Sequence, residues 1–70
     1  MTEHTILTDD NLEEVAKETW SDVDRLRRDL VWAQERNYTM LFFRVYFVWQ
    51  CIFLLPGEDP EKAIAEWRNG

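Results

Sequence analysis

Residues 40–55 read MLFFRVYFVWQCIFLL, and the fold of this 70-residue chain turns on how these sixteen side chains leave water. Only Arg44 and Gln50 interrupt them with strongly polar groups, and the stretch stops at Pro56-Gly57. Between Leu41 and Trp49 there is no amphipathic face, and a helix that is apolar all round lies either in a protein core or in lipid. Aromatic and β-branched residues also suit strands. Sixteen unbroken residues, however, exceed a typical strand of roughly 3–10. The sequence predicts a helix.

Toward the N-terminus, Leu12, Ala16, Thr19, Val23, Leu26, Leu30 and Ala33 recur at alternating spacings of four and three, a heptad-like stripe widened by Val15, Trp20 and Trp32. Thr8, Asp9 and Asp10 are candidate N-caps, and Glu13 and Glu14 follow at the positive end of the helix dipole. Opposite charges three or four apart, such as Asp24 with Arg27 and Arg25 with Asp29, support an exposed helical face. The reading is an amphipathic helix of roughly 25 residues, ~38 Å long. Its spacing continues through Asn37, Met40, Arg44, Phe47, Cys51 and Leu54, and neither Gly nor Pro lies between Thr8 and Leu55. Arg36-Asn37-Tyr38-Thr39 is the best place for a break, because Asn and Thr can cap a new helix. The absence of glycine there favours continuity or a kink over a reversal. Beyond Pro56-Gly57, Asp59-Pro60-Glu61 signals a further helix start, with Ala63, Ile64 and Trp67 on one side and Asn69-Gly70 at its end.

These readings give an all-α chain. Residues 1–8 form a flexible arm, 9–36 an amphipathic acidic and basic helix, 37–55 a hydrophobic helix, and 56–70 a turn and short helix. No internal repeat stands out.

Charge and size narrow the function. The formal net charge is -6, which argues against binding nucleic acid by neutralising phosphates. Seven acids against one lysine fill residues 1–22, whereas four arginines against three acids fill 23–36. Positive charge thus gathers just before the apolar stretch. Cys51, the only cysteine, excludes an internal disulfide and reads as a buried small hydrophobe. The opening MTEHTILTDD lacks the basic-then-apolar pattern of a secretory signal.

The apolar stretch rises ~24 Å as a helix, against roughly 30 Å of bilayer hydrocarbon. Arg44 lies near its N-terminal end, where its guanidinium can snorkel toward the Arg36–Tyr38 level. Trp32, Arg36, Tyr38, Arg44 and Trp67 then read as membrane-interface residues. The arginines before the stretch place the N-terminus in the cytoplasm by the positive-inside rule. The competing reading buries the same helix in protein, with Arg44 paired to an acid and Gln50 bonded across an interface.

Catalytic and metal chemistry finds little support. His4 has no neighbouring Cys or second His, so a solvated side chain is the plainer reading than a metal ligand. Asp9, Asp10, Glu13 and Glu14 lack calcium-loop spacing and read as capping and solvated charge. Asp22, Asp24 and Asp29 have no evident pocket to shift their pKa values. No phosphate-binding glycine loop and no nucleophile–His–acid set occurs, and no cofactor is expected. The acidic N-terminal half could mimic DNA charge, but acidic amphipathic helices are common for solubility alone. Tyr46 and Gln50, one helical turn apart, could bond a neighbouring helix.

The main expectation is therefore a non-enzymatic, single-span accessory or assembly subunit of a larger membrane complex. Leu12, Ala16, Val23, Leu26 and Leu30 would meet its cytoplasmic surface, and Phe43, Tyr46, Phe47 and Gln50 its membrane part. The alternative is a soluble, cytoplasmic helical interaction protein, an inhibitor or adaptor. It would oligomerise or capture a protein target through the same apolar surface.

Overall fold

The apolar stretch is a β-hairpin. The computed structural model describes residues 3–69, and in chain order its elements are β1 (His4–Ile6), α1 (Leu12–Thr19), α2 (Val23–Glu35), β2 (Thr39–Val45), β3 (Val48–Leu54) and α3 (Pro60–Asn69). The strands form one antiparallel sheet in the order β1-β2-β3. This α+β arrangement replaces the all-α expectation. Thr39 to Leu54 divides into two seven-residue strands around the two-residue turn Tyr46-Phe47. The stretch is too long for one strand but fits two strands of ordinary length.

The register explains why β2 carries no alternation. Met40 and Phe42 face the α1–α2 layer, where they join Leu12, Val15, Ala16, Leu26, Leu30 and Ala33. Leu41 and Phe43 face the other way and pack with Leu54 and Ile64 beneath α3. Strand β2 is thus central and covered on both faces, so apolar residues occupy every position from Met40 to Phe43. A strand buried in this way has the same apolar signature as a buried helix.

The breaks come at residues other than glycine. Trp20 ends α1 in the left-handed region at φ 59°, its N–H bonded to the Ala16 carbonyl. Asp22 then caps α2, its carboxylate accepting from the Asp24 N–H at 2.9 Å. The predicted long helix is therefore two, packed as a hairpin, although its apolar stripe does face the core. Asn37 adopts φ 60° after α2 and turns the chain into β2. The absence of glycine does not prevent the reversal, because Asn can visit this region through local bonding of its short side chain. Tyr46, at φ 60°, opens the hairpin turn; a positive φ at the first loop position alone is the pattern of a type II′ turn.

Part of the expected arm is ordered. His4, Thr5 and Ile6 pair with Phe43, Phe42 and Leu41, and Leu7 is buried. Met1 and Thr2 of that arm lie outside the described residues, as does Gly70 at the expected end of the last helix. Asn11, rather than Thr8, Asp9 or Asp10, stands at the head of α1. Its Oδ1 accepts from Thr8 N–H at 2.8 Å, and its Nδ2 donates to the Ile6 carbonyl at 2.9 Å. Pro60 opens α3, with Asp59 accepting from the Glu61 N–H at 3.0 Å.

No helix among the described residues is long and apolar enough to cross a membrane. The single-span anchor and single-pass membrane localisation are thereby overturned. Within the stretch expected in lipid, Met40, Leu41, Phe42, Phe43 and Leu54 are buried in the chain's own core.

Candidate protein-contact surface

The side chains expected to touch a partner divide sharply between core and solvent. Leu12, Ala16, Leu26 and Leu30 are buried under the sheet, with Val23 packed beside them. Phe43 is 0% exposed. By contrast Tyr46 is 90% exposed and Phe47 87%. Gln50 is half-buried opposite Phe43, so it is no longer one helical turn from Tyr46. The two still meet at a shallow depression of about 460 Å³, shared with Val48 and Trp67.

The residues read as membrane-interface groups serve protein packing instead. The Trp32 ring lies 5.7 Å from that of Tyr38 and 5.3 Å from that of Phe53. The Arg36 guanidinium sits 4.3 Å over the Trp32 ring and donates to the Trp32 carbonyl at 3.0 Å. Arg44 reaches the Trp49 ring at 5.9 Å. Trp67 meets Phe43 edge-on at 5.1 Å beneath α3. These contacts account for both rings and cations without lipid.

The sequence places Trp20 in the widened helical stripe, yet it is 95% exposed. It stands at the rim of a groove of about 480 Å³ between the start of α2 and β3, bordered by Asp22, Arg25, Asp29, Cys51 and Phe53. Cys51 is an exposed residue of the outer strand, not the buried one expected. Its thiol is nevertheless pushed up to about 11, first by withdrawal from solvent and second by the Asp29 carboxylate. That shift lowers the thiolate fraction below that of an ordinary thiol and works against nucleophilic use. Among the described residues, no group of three or more His, Cys, Asp or Glu side chains is placed to hold a metal ion.

The open side of the sheet follows from hydrogen-bond parity. A two-residue turn makes Val45–Val48 a hydrogen-bonded pair, so odd-numbered positions of β2 bond to β3. The even positions then face β1, in accord with Arg44 N–H donating to the Glu3 carbonyl and Leu7 N–H to the Met40 carbonyl. On β3, Val48, Gln50, Ile52 and Leu54 bond inward. The backbone groups of Trp49, Cys51 and Phe53 point outward along a bare edge.

No family model matches the chain, and no curated protein or solved structure matches it either. The geometry alone carries the functional reading.

Proposed function

We propose that this is a non-enzymatic interaction protein that captures a protein target through aromatic side chains displayed on either side of β3. One observation carries the reading. Trp20 and Tyr46 occupy left-handed backbone positions at φ 59° and 60°, where glycine costs least, and both rings stand almost wholly in water. Each position strains the free fold by ~1 kcal/mol relative to glycine. Neither ring repays that strain through burial in the chain itself. Strain held at an exposed aromatic is accounted for if the ring meets a partner, since Trp and Tyr dominate binding energy where they are desolvated. Phe47 stands exposed beside Tyr46, and half-exposed Phe53, with Trp32 against its ring, borders the Trp20 groove.

The test pairs stability with binding. Trp20→Gly and Tyr46→Gly should each raise unfolding stability by ~1 kcal/mol in denaturant titration. The double variant should also lose a protein that the unmodified chain recovers stoichiometrically from extracts of its source cells. Variants that are more stable and recover the same protein equally well would remove the basis of the proposal.

A further inference from the structure

We infer that two copies of this chain pair through their β3 strands, antiparallel about a two-fold axis at Cys51, to form a continuous six-stranded sheet. The inference rests on the bare backbone edge of β3 and not on the exposed rings of Trp20 and Tyr46.

Strand β1, at the other edge, has three residues, and its Ile6 carbonyl is already taken by the Asn11 side chain. Strand β3 has seven residues, none charged and none proline, so the usual devices that blunt an edge are missing from it. Among the described residues, no side-chain or loop hydrogen bond reaches the outward backbone of Trp49, Cys51 or Phe53.

The strand also matches itself. Outward groups occur only at odd positions, so antiparallel pairing must join odd residues to odd residues. Pairing Cys51 with its own copy sets Trp49 opposite Phe53 of the second copy and Phe53 opposite its Trp49. All three outward residues are then satisfied in both chains. Sliding by two positions in either direction leaves one of the three facing a residue outside β3. In the favoured register, aromatic pairs flank the axis on the α2 face, while Gln50 meets Ile52 and Val48 meets Leu54 on the α3 face. Such cross-strand pairs stabilise a sheet, and no like charges oppose one another within the strand. The groove rim carries Arg25 between Asp22 and Asp29, a mixed pattern that can pair with its own copy. A net charge of -6 on each chain opposes association at long range, so salt should strengthen it, whereas it would weaken capture of a basic peptide at the same edge.

Sedimentation equilibrium and NMR amide exchange on the full chain test the pairing. The mass should rise from monomer to dimer with concentration, at lower concentration in about 0.5 M salt than in about 0.05 M. The amides of Trp49, Cys51 and Phe53 should gain protection as the dimer forms, while those of Gln50, Ile52 and Leu54 are protected throughout. Cys51→Lys sets two ammonium groups opposite one another at the axis and should raise the dimer dissociation constant more than about 100-fold. Retained protection of Gln50 and Ile52 in that variant would show its hairpin intact. A chain that stays monomeric to about 1 mM in high salt, where even weak association is populated, would overturn the inference. So would a dimer indifferent to Cys51→Lys. A monomer that still recovers its target would sink this pairing while sparing the proposed function.

Discussion

Phe43 and Phe47 are four positions apart in a stretch of uniform hydrophobicity, yet one is sealed between β2 and α3 and the other stands in solvent. Spacing along the chain could not separate them, because helical periodicity places them on one face whereas the hairpin puts one in a strand and the other in a turn. Cys51 shows the same ambiguity. Its apolar neighbours imply burial, while its place on the outer strand opens it to water and leaves only the thiol withdrawn. Because the thiol's folded pKa of about 11 lies above the ordinary 9.0, the folded state holds that proton more tightly than the unfolded chain. The stability contributed is intact below pH 9 and is lost as the pH rises through about 11. Iodoacetamide should accordingly label Cys51 slowly at neutral pH, with a rate profile whose midpoint lies near 11 in the folded protein and near 9 in denaturant. Coincident midpoints would contradict the groove environment described for the thiol.

The elements differ in how plainly the sequence announces them. The α1–α2 stripe of Leu12, Val15, Ala16, Leu26, Leu30 and Ala33 is visible as four-three spacing, because each helix covers only one face of the sheet. The start of α3 is visible in Asp59-Pro60. Strands β2 and β3 are not visible, for two reasons. Double-sided burial of β2 erases the period of two, and the non-glycine residues with positive φ among the described residues, Trp20, Asn37 and Tyr46, fall in the stretch whose lack of glycine implies continuity. Of these, Asn37 alone falls at the break the sequence suggests, and it acts there as a left-handed hinge and not as a helix cap. Its role as hinge can be measured. Asn37→Gly should leave stability unchanged or slightly raised, whereas Asn37→Val, β-branched and unsuited to φ 60°, should cost at least ~1 kcal/mol in denaturant unfolding. Equal stability of the two variants would deny that this backbone conformation directs α2 into β2.

At the scale of the whole molecule, the sheet is a middle layer with α1 and α2 on one side and α3 on the other, and each interface has its own small core. The two helical layers cover β2 on both faces, while β3 forms an edge of the sheet. The exposed Trp20, Tyr46 and Phe47 stand around that edge strand, where the proposed contact surface lies. The helical reading and the hairpin reading both remove the same residues from water, and hydrophobicity alone does not choose between them. Cross-strand distances do. In the hairpin, Met40–Phe53, Phe42–Cys51 and Arg44–Trp49 are the non-hydrogen-bonded pairs of the ladder, whose α-carbons approach most closely. Nuclear Overhauser spectroscopy should show strong Hα–Hα cross-peaks for all three pairs. Their absence, with continuous helical contacts between residues three apart from Met40 to Leu55 in their place, would contradict the fold and every functional inference built on the open β3 edge.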